Sequence, residues 1–431
     1  MRFAPGDCGK AALIQHPSTD GALRRRVNDA RMAGQSDRPH VVIAGGGVAA
    51  LEACLALRER LPVDDLAITV VTPTDRFEYR PLAVLEPFGG TSRWSLQLSS
   101  FTDDQDIDLV HDAVAAVAPR ARAVATGSGA ELGYDALLIA VGGHTADAVH
   151  GALTFRGPRD GHELRLILDE EPESIAFVAP AGATWPLPIY ELALLAAADV
   201  ERRHASTSIE LYTPERAPLA LFGPGASEFA ADLLTRRRVR LVTGADVVDA
   251  RSVGAERVVA LPRVIGRRIE GVPRDAEDFI VVDEHARVDG LPAVYAAGDI
   301  TSLPVKQGGL AARQADAAAD AILAALGVPI MPRPFQPVIQ GVLFTDREPA
   351  YLQAPLSEAA HASADPRSFS LWWPPSKIAG RHLSPYLAMR GGAPRAPEVR
   401  PDRDIVPINV GVEQAVRAVR GVVDGDRVPP G

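Results

Sequence analysis

The 431-residue chain is 47% hydrophobic and 23% charged, the composition of a folded globular protein with room for two or three domains. Its formal net charge of -10 excludes a nucleic-acid binder that neutralises phosphates with a basic face. Two cysteines, Cys8 and Cys54, are too few for a disulfide framework or a four-thiolate zinc site, and no metal is expected.

The first 38 residues, polar throughout in RRRVNDARMAGQSDRPH, lack the apolar core of a secretory signal and read as a disordered tail, with Met32 an alternative start. No apolar run reaches the ~18 residues of a membrane span, so a cytoplasmic protein is the default expectation, with peripheral membrane contact left open.

HVVIAGGGVAALEACLALRERL then opens the ordered pattern. The β-branched run Val41–Ile43 predicts a strand, Gly45, Gly46 and Gly47 a turn, and Leu51, Leu55 and Leu57 a helix. Gly45 permits the tight turn, Gly47 lets backbone approach a pyrophosphate, and the helix start supplies N–H groups and a positive dipole end. Ala50 replaces the third glycine of this fingerprint. Cys54, among leucines and alanines, reads as a buried small hydrophobe. In LAITVVTPTDRFEYRP the next strand ends at Val71-Thr72 without an acid, so a ribose hydroxyl would meet Thr72 or Asp75, unless Thr72 only closes the strand.

YDALLIAVGG, Tyr134–Gly143, is a buried strand ending in Gly142 and Gly143, and LPAVYAAGDIT, Leu291–Thr301, is another ending in Gly298-Asp299. Between them the pattern alternates again. Strands are expected at Ile175–Val178, Ser208–Tyr212 and Val239–Thr243, and helices at Tyr190–Val200 and SEFAADLLTRRR. Where a second glycine turn belongs, the chain has Ala179, Pro180, Ala181, a single Gly182, then Trp185, Pro186 and Pro188. Prolines offer no N–H to a phosphate, so NAD(P)H binding there is doubtful, with a weaker mode at Gly182 left open.

Lys306 and Gln307, ahead of a helix from about Gly309 to Leu326, offer a cation and a helix N-terminus in a chain with only three lysines. Glu191, beside Tyr190 at a helix start, is a candidate proton-handling carboxylate or simply a complement to the helix dipole. Trp372 and Trp373, followed by Pro374, Pro375 and Lys377, could line a slot for a planar acceptor or could be packing aromatics.

The ordered trio Gly45–Ala50, Tyr134–Gly143 and Leu291–Thr301 resembles the FAD-binding pattern of the pyridine nucleotide-disulfide oxidoreductase superfamily over nearly all of residues 39–330. The resemblance implies an α/β protein with two Rossmann-like dinucleotide-binding domains, the second inserted in the first, and a C-terminal α+β interface region. Its implied divisions are a tail at 1–38, an FAD domain at 39–150 and 273–335, a degenerate NAD(P)-type domain at 151–272, and the interface region with its tail at 336–431. It further implies Asp299 on the ribityl chain of FAD and the Lys306–Gln307 helix start under the flavin ring.

RFEYRPLAVLEPF, which contains Arg80, IELYTPERAPLALFGPGASEFAADLL and VVALPRVIGRRIEGVP narrow the resemblance to the sulfide:quinone oxidoreductases and flavocytochrome c sulfide dehydrogenases. Those enzymes work through a redox-active cysteine pair beside the flavin. Here Trp185 occupies that neighbourhood and no cysteine follows Cys54, so no thiolate is at hand to capture sulfide sulfur. The expected function is an FAD-dependent oxidoreductase that passes electrons from a small donor or NAD(P)H to a quinone-like or protein acceptor without a cysteine-disulfide step. The alternatives are an NAD(P)H-dependent reductase with an unconventional nicotinamide site and a non-catalytic FAD-binding redox sensor.

Overall fold

The structure is a computed structural model that describes residues 38–90, 94–356, 372 and 376–390. The expectations that fall on residues 1–37, Trp373 and 391–431 lie outside the described residues.

Strand β1 (His40–Ala44) leads through the glycine turn into helix α1 (Val48–Arg60). The expected helix forms, and α1 is buried on nearly every side from Ala49 to Leu57, Leu55 excepted. It lies between a sheet and a second helix, where alanines allow close approach. Strands β2 (Ala67–Val71), β3 (Asp108–Val110) and β4 (Ala136–Ile139) all run parallel to β1 in the order β4-β1-β2-β3. The nearly continuous buried runs of β1, β2 and β4 are what a parallel sheet covered on both faces requires, and the edge strand β3 is more exposed.

The chain leaves this sheet through His144–Ala146 and returns through Arg263–Ile265, and the two segments pair antiparallel. A Cβ on Gly143 would stand 2.4 Å from Val264 Cγ1, so only glycine fits where the two crossings meet. Between the crossings lies a second parallel sheet of β5 (Leu153–Thr154), β6 (Ser174–Val178), β7 (Ser208–Tyr212), β8 (Arg240–Val242) and β9 (Arg257–Ala260), ordered β5-β9-β6-β7-β8. Helices α2 (Pro158–Asp169), α3 (Leu187–Arg203) and α4 (Pro224–Arg236) alternate with these strands. After the return, β10 (Val294–Ala296) joins the first sheet beside β4, and α5 (Gly308–Ala325) packs along α1.

The hairpin of β11 (Val338–Leu343) and β12 (Ala350–Pro355) closes over α3 and α5. The last described helix, α6 (Leu383–Met389), packs on α1 with Leu383, Tyr386 and Leu387 buried, and one buried acid of α1 holds its start. Glu52 of α1 is fully buried and its carboxylate accepts N–H bonds from His382 and Leu383, each at 2.7 Å. Tyr386 adds a 2.7 Å hydroxyl bond to Asp104. Among the described residues no helix is long and apolar enough to cross a membrane.

Candidate active-site cleft

The glycine turn divides its labour. Gly45 has φ +126° and a Cβ there would lie 2.2 Å from Ala140 O, while one on Gly46 would lie 2.7 Å from Leu98 Cδ1. Gly47 opens on free space, with no atom within 4 Å of its Cβ position. It is also the N-cap of α1, with no side-chain capping bond and no acid in the first turn, so the first N–H groups face that space unsatisfied. Gly298 completes the wall. A Cβ there would lie 3.3 Å from Ala49 Cβ and 3.4 Å from Ala311 Cβ, which places it between the starts of α1 and α5. Ala50 is buried in the same packing. Gly142, at φ +68°, likewise has nothing within 4 Å of its Cβ position. Thr72 is buried, and its hydroxyl lies 3.1 Å from that of Thr74 in the turn after β2.

A cavity of ≈ 260 Å³ lies where the first sheet, the second domain and the C-terminal segment meet. Asp299 and Arg80 stand on its wall with Lys306 and Gln307. Trp185 and Pro188 face them from the start of α3, and Lys377 enters from the C-terminal segment. Burial raises the Asp299 carboxyl, opposed by the positive charges of Lys306 and Arg80. Among the described residues nothing donates a hydrogen bond to that carboxylate. Burial lowers Lys306 to about 8 against the attraction of Asp299; its ammonium donates to Thr301 O and lies 3.7 Å over the Phe279 ring.

Three of the expected residues have partners within the protein. Gln307 lines the cavity, but its side chain is engaged within the protein: Oε1 accepts from Leu310 N at 2.9 Å, capping α5, and Nε2 donates to Gln340 O at 3.0 Å. Glu191 is not on the cavity wall. It is fully buried, accepts Phe344 N at 2.8 Å, and holds Lys377 Nζ at 2.5 and 2.6 Å by its two oxygens. Burial raises the Glu191 carboxyl and lowers the Lys377 amine, each opposed by its partner. Trp372 does not line the cavity either, because its ring packs edge-on against Tyr351 at 5.5 Å and its Nε1 donates to Ser376 O at 2.8 Å.

The wall also contains residues that sequence reasoning passed over, among them Phe155, Arg156, Val264 and Gly341. Val264 lies within VVALPRVIGRRIEGVP and Arg156 precedes the Gly157-Pro158 helix start, whereas Phe155 and Gly341 had no local signal. Cys54 is buried, and burial pushes its thiol up to about 12.

The profile of the family described as pyridine nucleotide-disulphide oxidoreductase matches residues 39–325. A sulfide-quinone reductase of Aquifex aeolicus is 22% identical over 302 residues, which cover 62% of this chain and 69% of that protein. The solved sulfide:quinone oxidoreductase of the same bacterium superposes with a TM-score of 0.65 at 18% identity, covering 75% of this chain and 85% of its own. A ferredoxin reductase from Rhodopseudomonas palustris superposes with a TM-score of 0.57 at 21% identity, covering 74% and 82%. Such low identities establish a shared two-sheet α/β fold.

Proposed function

The chain belongs to the pyridine nucleotide-disulphide oxidoreductase family and is an FAD-dependent oxidoreductase, and from that premise we propose that electrons enter its cleft from a small donor and leave to a quinone-like acceptor without a cysteine-disulfide step. When bound, FAD supplies the electron and hydride transfer and gathers negative charge on its ring as it is reduced.

The observation that carries the reading is the convergence of positive ends on one cavity. The start of α3, N-capped by Pro186 with no side-chain bond, and the start of α5 both open on it beside Lys306, while the charge of Lys377 is already matched by Glu191. Dipole ends and an ammonium group held at a protein wall stabilise negative charge more than they would in bulk water. Gly47 and the uncapped α1 would hold the pyrophosphate, next to Gly45, Gly46 and Thr72. Asp299, a raised carboxyl with no donor, would take a ribityl hydroxyl, with Gly142, Gly298 and Arg80 bordering the cofactor. Trp185 with Pro188 and Val264 offers a flat apolar wall to a planar acceptor. Lys377, held by Glu191, places a proton-bearing group on the same wall.

The sulfide-quinone relative is named for its substrates, and this chain is proposed to share the acceptor class while lacking the nucleophile. Its thiol at Cys54 is too deeply buried and too weakly acidic to serve. Cys8 lies outside the described residues.

The test is anaerobic. FAD-loaded protein reduced by dithionite is mixed with a soluble short-chain quinone, and the flavin band is followed. Reoxidation within seconds, equally fast in the Cys8→Ala/Cys54→Ala double variant, is expected. No reoxidation by quinone refutes the acceptor class, and its loss in the double variant refutes the cysteine-free route.

A further inference from the structure

The two sheets repeat one another down to their turns. After β2 the chain runs Thr72-Pro73-Thr74, and after β7 it runs Thr213-Pro214-Glu215. In each, the threonine hydroxyl accepts the N–H two residues on, at 3.4 Å from Thr74 and 3.2 Å from Glu215. The residues that leave the first strand of each sheet repeat as well, Gly45 N donating to Val71 O at 2.8 Å and Ala179 N to Tyr212 O at 2.9 Å.

Beyond those bonds the halves diverge. Helix α1 starts directly after residues 45–47 and leaves an open space at Gly47, whereas α3 starts only after residues 179–186, which include Pro180 and Pro186. The longer loop carries Thr184 and Trp185 to the flavin cleft, where Thr184 O accepts Lys306 N at 3.4 Å. Tyr190, in the first turn of α3, reaches the turn after β7 in its place. Its side chain is fully buried, its hydroxyl donates to Glu215 Oε2 at 2.6 Å, and Leu219 N donates to that hydroxyl at 3.4 Å. Thr213 Oγ1 also donates to Oε2, at 3.0 Å, and Ala220 N donates to Oε1 at 3.1 Å.

Glu215 therefore stands close to where a Rossmann-type site offers a carboxylate to an adenosine ribose, and both of its oxygens are taken by the chain itself. A ribose could reach it only by breaking a short charge-assisted bond and displacing a buried ring. Burial and the neighbouring Glu215 charge both raise the Tyr190 phenol, which keeps it a donor at any working pH.

We propose that Tyr190 and Glu215 form a plug that closes the second dinucleotide crevice and so determine specificity: the electrons come from a donor other than NADH or NADPH, arriving at the flavin cleft. The substrate consequence rests on the cleft reading above; the plug itself does not.

FAD-loaded protein is titrated anaerobically with NADH and then NADPH, following flavin bleaching and, by ligand-observed NMR, binding. Wild type is expected to show neither saturable binding below millimolar concentration nor bleaching. Tyr190→Ala, with Tyr190→Leu as a second variant that keeps apolar filling, is expected to bind NADH at least tenfold more tightly than wild type. Saturable micromolar binding by wild type overturns the proposal, and so does a folded variant that gains nothing. Dithionite bleaching of the flavin in the same sample reports separately on the cleft, so a failed cofactor reading and a failed plug give different results.

Discussion

Glu191→Gln is expected to destabilise the protein by about 3 kcal/mol, toward the low end of the range for stranding one partner of a buried ion pair. The pair joins α3 to the C-terminal segment: Lys377 Nζ lies 2.5 and 2.6 Å from the two oxygens, with side-chain exposures of 8% for the lysine and 0% for the glutamate. Glutamine keeps one oxygen for Phe344 N but leaves the ammonium without a counter-charge, 4.2 Å from the Phe344 ring. The low end applies because burial already lowers the Lys377 pKa, so the amine can shed its proton instead of remaining a stranded charge. Differential scanning calorimetry at pH 7 reads the effect as a fall of several degrees in Tm. Replacing both partners, Glu191→Gln with Lys377→Met, is expected to recover most of that loss, since neutral groups of similar shape need no mutual compensation. A single variant that melts within about a degree of wild type, or a double variant worse than the two singles summed, would refute the reasoning.

Asp299→Ala is expected to weaken FAD binding at least tenfold, about 1.4 kcal/mol, read from the flavin-to-protein absorbance ratio after purification; full occupancy would misplace the ribityl contact. Gly45→Ala and Gly47→Ala should part company. The first forces a Cβ to 2.2 Å from Ala140 O at φ +126° and should lower Tm, whereas the second points into open space and should leave Tm unchanged while reducing FAD affinity. The contribution of Asp316 to stability should fall as pH rises from about 4 to 8. Burial and the charge of Glu52 raise Asp316 from 3.8 to about 8, so the folded protein holds a proton across that window which the unfolded chain has released. Asp316→Asn is expected to flatten this part of the Tm-against-pH curve, and an unchanged slope would count against the assignment.

Much of the framework was legible locally. A β-branched run, three glycines and a helical stretch within residues 40–60 specify strand, turn and helix through contacts a few residues apart, and the glycines are needed for their own backbone angle and clearance. The same holds for Ser208–Tyr212, whose observed bounds equal those expected, and for the α5 start at Gly308. The loss of the second glycine turn was equally visible, because proline acts on its own backbone.

Partnerships across the chain were not legible. Glu191 looked like a helix-start carboxylate because its partner Lys377 is 186 positions away, and nothing singled out Glu52 because the N–H groups of His382 and Leu383 are 330 and 331 away. Trp372 was a candidate for the cleft until Tyr351 and Ser376 claimed its ring and its N–H. Tyr190 gave no sign that its hydroxyl would meet Glu215, since only the pairing of β6 with β7 brings the two together. Composition and local pattern determined which backbone could form and that a glycine turn follows the first strand of one sheet and not that of the other. Which side chains face the cleft, which are consumed in holding it together, and that Tyr190 meets Glu215 were decided by tertiary packing, because a buried polar group takes whichever partner the assembled fold places within reach.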